Sequence, residues 1–399
     1  MRIPAIISIC VLFLVSHSVR SQSSDPCHHS TEGTEFWFGF MEGRNTNNHY
    51  VEITVTSRED ANFRIFIGKS SVPAYTETVK ANSTTRIRLD HRMVEPTGSE
   101  RIQDMGIYLV ADRKVNVYAL NHDNNSSDVA VMYPLESLGT EYLTMCYKPH
   151  LDTNNPAHGR NSEFVVVASQ DNTKVTITPT QTTDGSRAAN VPFTVTLGKG
   201  ELYQVQAIRD DLTGSHIVSD KPVAVYAGSL STTIPFEATG GWDHMYEQMP
   251  PVNTWGREYY TVPLLTRSKD YFRILASQDS TRVTIGTGSV YLDRGRFYEF
   301  TLNSPARIFA DKQILVSQYS QSRNNDNVSN GDGFMIILSP VSQAKNDVTF
   351  EAYTSSIIKV YFVNIVVPSS ETGKIELDGN LVGNFSPFTD DLRYSYAQV

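Results

Sequence analysis

Cysteine is scarce: Cys10, Cys27 and Cys146 are the only three in 399 residues. A fold stapled by disulfides is excluded, so stability must come from apolar burial, for which a 40% hydrophobic chain of this length is sufficient. After residue 15 there is no apolar run long enough for a membrane-spanning helix. No window carries a long apolar stripe of helical period, which argues against a helical bundle. An excess of positive charge is also missing: 34 Lys and Arg face 43 Asp and Glu, a net charge of -9, which disfavours nucleic acid or an anionic membrane as the main partner. The chain has no G-x-S-x-G, no H-E-x-x-H and no Walker loop.

The start, MRIPAIISICVLFLVSHSVRSQ, joins an arginine to an apolar run from Ile3 to Val15 and to small residues, with Val19 and Ser21 at the positions a signal peptidase reads. This predicts a cleaved secretion signal over 1–21 and a tail over 22–32, so the mature chain is expected to be exported and soluble. Removing Arg2 and Arg20 leaves 32 basic against 43 acidic residues, a net charge of -11. Only Cys27 and Cys146 survive cleavage, so at most one disulfide can form; whether they pair is left open.

What the chain does have is short runs alternating apolar and polar residues, rich in Val, Ile, Thr, Tyr and Phe: VEITVTS (51–57), EFVVVAS (163–169), KVTITP (174–179), ELYQVQ (201–206) and PVAVYAGS (222–229). Period two with β-branched residues means strands with one buried face, and the expected class is all-β. The runs also repeat. EFVVVASQDNTKVTI (163–177) returns as YFRILASQDSTRVTI (271–285) and more weakly as VEITVTSREDANFRIFI (51–67). In each copy a serine (Ser57, Ser169, Ser277) stands six residues before the apolar residue opening the next strand (Phe63, Val175, Val283), as a hairpin of fixed geometry requires. GTEFWF (33–38), GTEYLT (139–144) and GREYYT (256–261) open successive units. GIYLVADRKVNVY (106–118), GSHIVSDKPVAVY (214–226) and ARIFADKQILVSQY (306–319) close them, with Asp112, Asp220 and Asp311 marking an equivalent turn.

The expected organisation is unit one over 33–127, unit two over 128–242, unit three over 243–333 and an incomplete unit four over 334–399. In unit four YSYAQV (394–399) corresponds to ELYQVQ, and the closing hairpin that should follow is missing, which predicts either a fragment or an open strand edge. Tandem β-repeats of about 100 residues suit sandwich-like units packed together. A closed propeller-like ring with two blades per unit is the alternative.

One stretch, GGWDHMYEQMPPVNTWGREYYTVP (240–263), holds two of the three tryptophans, a Pro-Pro pair and a lone histidine. As a binding site it would use Trp242, Asp243, His244 and Trp255. Proline falls five residues before the unit-opening glycine in both complete copies (Pro134 to Gly139, Pro251 to Gly256), and a fixed φ stiffens a crossing. The primary expectation is therefore a joint into which Trp255 wedges. In GTEFWFGF, alternation sends Phe36, Phe38 and Phe40 to one face and leaves Trp37 for an inter-unit contact, with sugar stacking as the sharper alternative.

Together GTEFWFGFMEGRN (33–45), DLTGSHIVSDKPVAVYAGS (211–229) and DHMYEQMPPVNTWGREY (243–259) resemble the IgG Fc-binding protein N-terminal domain family over essentially all of 31–399. The resemblance implies a secreted or cell-surface binding domain with no catalytic residue to carry over. Immunoglobulin as a ligand follows from the family name only. The family pattern continues past YSYAQV with a further strand pair, so the resemblance implies a domain truncated at its C-terminal end. The cysteine-rich repeats of the mucus glycoprotein that names the family are absent here.

For cofactors the expectation is none, with a calcium candidate at Asp326, Asn330 and Asp332 in RNNDNVSNGDG (323–333), an oxygen-rich loop whose composition also suits a solvated turn. His28 and His29 fit a solvated tail, and Cys146 fits a buried hydrophobe. Sequons at Asn82, Asn124, Asn125, Asn327 and Asn384 mark surface loops if the host glycosylates. The expected function is an exported, non-enzymatic adhesion module for an extracellular protein or a mucin-like glycoprotein. A carbohydrate-active enzyme or its accessory module, and a structural spacer, are the competing expectations.

Overall fold

The computed structural model describes residues 30–43, 49–123, 126–150, 161–207, 209–238, 240–326, 331–353, 358 and 360–399, together with the backbone of Ile7–Cys10. Most of the expected leader, Cys27, His28, His29, Asn124, Asn125, Asn327 and Asn330 lie outside the described residues. Among the described residues no helix is long and apolar enough to cross a membrane.

The protein is all-β, and each of the first three units uses the same strand plan. Its axis is one long strand: Ile107–Asp123, His216–Thr232 and Ala306–Ser320. The first half of the long strand in unit one lies between the opening strand Glu32–Phe38 and the hairpin strand Ala61–Ile67. Its second half lies between Tyr50–Ser57 and Ser126–Met132. Ala61–Ile67 then pairs with Tyr75–Val79, and Tyr50–Ser57 with Ser83–Leu89, so two four-stranded antiparallel sheets share the long strand. Phe36 and Phe38 from one sheet and Val51, Ile53 and Val55 from the other meet in a single core, which is the sandwich arrangement. Units two and three repeat the plan strand for strand.

The shared register follows from local chemistry. Ser57, Ser169 and Ser277 donate through Oγ to the carbonyls of Lys114, Pro222 and Gln313 at 3.1, 2.7 and 2.6 Å. Asp112, Asp220 and Asp311 accept through Oδ1 from the backbone N–H of Asn62, Lys174 and Arg282 at 2.8, 2.8 and 2.9 Å. Each aspartate pins the hairpin strand to the long strand where the pairing changes sides, so the serine and aspartate positions of the repeat occupy matching surroundings.

One expectation needs correcting. The period-two runs imply a single buried face, yet every residue of Ser162–Ala168 is buried. Phe164, Val166 and Ala168 enter the core of unit two, while Val165 and Val167 join the core of unit one. The reason is stacking: unit one lies on the outer face of this strand, so both faces leave water and the apolar run EFVVVA is continuous. Unit three joins in series, with Leu275, Leu315 and Tyr319 packed into the core of unit two.

Phe36, Phe38 and Phe40 share the core of unit one, as alternation requires. Trp37, on the opposite face, stacks on Tyr108 with ring centres 4.7 Å apart, and Lys199 of unit two lies over its ring at 5.3 Å. In unit four Tyr361–Pro368 pairs antiparallel with Tyr394–Gln398. Its other edge, where the preceding units carry their long strand, faces the backbone of Ile7–Cys10 in parallel register. Unit four rests on unit three through Tyr260, Val262, Val366 and Phe388. The early part of unit four returns to unit one and the tail before it: Arg58 Nε donates to Thr349 Oγ1 at 2.6 Å, Arg86 Nη2 donates to Glu351 Oε1 at 2.8 Å, and Lys345 Nζ donates to Ser30 Oγ at 3.0 Å.

Candidate functional site at the inter-unit crossings

Each crossing begins with a proline in extended conformation: Pro134, Pro251 and Pro340 have φ of -65, -62 and -72° and open the short 3-10 turns Leu135–Ser137, Val252–Thr254 and Val341–Gln343. The proline rings cap the opening glycine of the unit being left: Pro134 sits on Gly33, Pro251 on Gly139 and Pro340 on Gly256. Only a residue without Cβ allows this approach. Beside the cap, Tyr142 Oη accepts from Gly139 N–H at 2.8 Å and donates to Val223 O at 2.7 Å. Tyr259 does the same with Gly256 and Ile314 at 3.2 and 2.6 Å.

Trp255 is 4% exposed, and its Nε1 donates to Pro250 O at 3.0 Å. Its own carbonyl accepts from Gln313 Nε2 at 2.8 Å, which ties the crossing to the long strand of unit three. The void lined by Tyr133, Pro250, Trp255, Tyr259, Leu338 and Pro340 measures about 20 Å³, room for about one water.

A buried polar seam runs beside the caps. The strands Ser126–Met132, Asp243–Gln248 and Phe334–Ile337 each hydrogen-bond to the long strand before them, so pairing crosses the sequence boundaries at 127/128, 242/243 and 333/334. Between these strands, carboxyl groups serve in place of backbone partners. Asp128 Oδ1 accepts from its neighbour Val129 N–H at 2.9 Å, and Oδ2 accepts from Tyr246 N–H at 3.0 Å. Burial pushes the Asp128 carboxyl up to about 8 against these donors. Asp243 is pushed well above the usual carboxylate range by burial and by the adjoining Asp332, and its Oδ2 accepts from Gly333 N–H at 3.2 Å. His244 is driven down to about 4 by burial, so its ring is neutral, with Nδ1 3.3 Å from Leu230 O. Trp242 is half-buried, with the His150 ring 5.0 Å away.

The structure thus brings Asp243, His244 and Asp332 to one seam and places Trp255 in the cap. Asp326 and Asp332 are joined through one guanidinium: the Asp326 carboxylate accepts from Arg267 Nη1 at 3.2 Å, from Ser268 N–H at 3.1 Å and from Gln321 Nε2 at 3.0 Å, while Arg267 Nη2 donates to Asp332 O at 2.8 Å. The lone pairs of Asp326 therefore face protein donors. The described His, Cys, Asp and Glu side chains best grouped for a metal are His49, His91 and Glu95 of unit one.

Sequence reasoning missed the strongest clamp between units. Arg273 occupies the repeat position held by Val165 in unit two, yet it is 4% exposed. Its Nη1 donates to Asp211 Oδ2 at 2.7 Å and to Cys146 O at 2.8 Å, and its Nε donates to Glu299 Oε2 at 2.7 Å. The guanidinium lies 3.8 Å from the Tyr147 ring centre and 4.5 Å from that of Phe297. An arginine standing where the other copies hold an apolar residue was the available signal. Cys146 beside it is buried, with Sγ 3.3 Å from Glu163 O, and burial pushes its thiol up.

Antiparallel sandwiches sharing long strands, with cores joined in series and locked by buried crossings, define a tandem β-sandwich repeat protein. The chain belongs to the IgGFc-binding protein family: the family model described as IgGFc binding protein matches residues 128–399. Human IgGFc-binding protein (Homo sapiens) is 24% identical over 288 residues, covering 69% of this chain and 5% of that much longer protein.

Proposed function

We propose that the chain is a secreted or cell-surface, non-enzymatic recognition module for an extracellular protein or glycoconjugate, in an adhesive role. The observation that carries this is membership of a family named for binding, matched over more than half the chain. The immunoglobulin Fc region is the first ligand to try, because the human relative is named for it. Unit three supports recognition physically. Tyr291 and Phe309 are 68% and 40% exposed on a strand face that also carries Arg282 and Thr284, and exposed aromatics beside arginine are the composition of contact surfaces. Rigid strands fix such a face at low entropic cost on binding.

The test is surface plasmon resonance of the secreted protein against immobilised Fc and mucin-type glycoprotein, together with a glycan array run with calcium and with chelator. The expected outcome is retention of an unaltered ligand and at least a tenfold loss of affinity for Tyr291→Ala/Phe309→Ala. Consumption of a glycan would establish an enzyme, and silence on every surface would establish a spacer. Loss of binding with chelator would place calcium in the site. N-terminal sequencing of exported material is expected to begin at Gln22.

A further inference from the structure

His49, His91 and Glu95 converge although 42 residues separate the first two. His91 opens a short turn capped by Asp90, whose side chain accepts from Arg92 N–H, and the turn carries Glu95 back onto His91, with Glu95 N–H donating to His91 O at 2.8 Å. HRMVE thus presents an imidazole and a carboxylate from one turn. His49, just before the strand Tyr50–Ser57, supplies the third group. Both imidazoles address the same oxygen: Glu95 Oε2 lies 2.5 Å from His49 Nε2 and 3.0 Å from His91 Nδ1. The other oxygen, Oε1, is oriented by Asn121 Nδ2 at 2.6 Å, from the long strand of unit one.

The shell is tight and largely closed to solvent. The side chains of His49 and Glu95 are 1% and 5% exposed, while that of His91, at 18%, leaves an approach from solvent. A Cβ on Gly43 would come within 2.7 Å of both Glu95 Oε1 and His49 Cε1, so the backbone there holds the carboxylate and ring in place. His49 Nδ1 is buried without a hydrogen-bond partner. That nitrogen has no partner whether Nε2 donates to Glu95 or binds a metal. What sets the cluster apart is that two imidazole nitrogens and a carboxylate oxygen lie within 4.8 Å of one another, so that a divalent cation among them would take one lone pair from each.

We propose that His49 Nε2, His91 Nδ1 and Glu95 Oε2 form a three-ligand site for a divalent transition metal of the zinc class, with the fourth position open to water beside His91. Two imidazoles and a carboxylate are the ligand set zinc accepts, and tetrahedral bonds of about 2.0–2.2 Å require the donor atoms to be roughly 3.3 Å apart, so the 2.5 and 3.0 Å spacings of Glu95 Oε2 to the two nitrogens would each open by under about 1 Å. Asn121 is the positioning residue that holds Glu95, as outer partners of metal ligands do.

The experiment uses the full chain with zinc chloride, followed by dialysis and metal analysis, and with cobalt chloride for the visible bands of a tetrahedral ion. Expected are one zinc per chain, tetrahedral cobalt bands, and a melting temperature raised by zinc and returned by chelator. His91→Ala, whose side chain is partly exposed, is expected to abolish stoichiometric zinc while its metal-free melting temperature stays near that of the parent. Asn121→Ala is expected to weaken zinc roughly 10–100-fold. His216→Ala, which removes the separate His216–Glu141 pair, is expected to change nothing. Absence of stoichiometric metal and of cobalt bands in the parent protein overturns the proposal, whatever the variants do. Zinc bound equally by parent and His91→Ala overturns it as well.

Discussion

Pro251 caps Gly139 so closely that a Cβ on the glycine would lie 2.5 Å from the proline Cβ. The same seat recurs at Gly33 under Pro134 and at Gly256 under Pro340, with even less room. Gly139→Ala must therefore displace the Pro251 crossing that leads into the start of unit three. Equilibrium urea unfolding is expected to show a loss of roughly 1–3 kcal/mol, the usual cost of overpacking. Gly373→Ala, where an added Cβ meets nothing within 4 Å, is the control and is expected to stay near zero.

Arg273 is a buried cation answered by Asp211 and Glu299 and sandwiched by Tyr147 and Phe297. Removing it strands two carboxylates at the interface of units two and three. Arg273→Ala is expected to cost roughly 3–5 kcal/mol in chemical denaturation. Arg273→Lys is expected to recover only a minor part, since an ammonium cannot serve Nε and Nη1 positions together or stack as a plane.

Trp255 separates a joint from a ligand contact. Trp255→Ala is expected to lower stability by roughly 3–5 kcal/mol, as large aromatic truncations in a core do. The affinity of the folded variant for whatever the parent binds is expected to be unchanged. A Trp255→Ala protein of full stability with lost binding would reassign the residue to recognition.

Acid–base behaviour follows from the buried seam. Asp128 is raised to about 8 and Asp270, buried on unit three with Oδ2 accepting from Leu264 N–H, to about 7. The folded protein therefore holds protons that the unfolded chain releases near pH 4. Stability is fully present below that pH and falls as pH rises to the folded values, by roughly 1.4 kcal/mol per pH unit for each group. His244, lowered to about 4, acts oppositely, and its contribution grows from pH 4 to about 6.5. Above pH 6.5 nothing in this trio offsets the carboxyls. Calorimetry is expected to give a lower melting temperature at pH 8 than at pH 5, and Asp128→Asn is expected to flatten that slope.

The repeat was legible because its signals are local. The serine before each hairpin and the aspartate in each long strand bond to backbone within their own unit, so their spacing in sequence is also their spacing in space. Stacking was not legible from period two, since Ser162–Ala168 gains its second buried face from another unit. Proline spacing announced a crossing but not its partner, because the capped glycine belongs to the preceding unit. His49 and Glu95 meet only through the pairing of strands far apart in the chain, although HRMVE carried half of that cluster in plain view.

The segment after unit three lies back against unit one through Arg58, Arg86 and Ser30. Linear arrays of repeats ordinarily fray from their terminal members, where each has a single neighbour. Here the exit is latched to the entrance, so peeling unit three outward requires breaking the ion pairs Arg58–Asp347 and Arg86–Glu351 on unit one. The array resists unravelling as a loop of chain does once its clasp is shut.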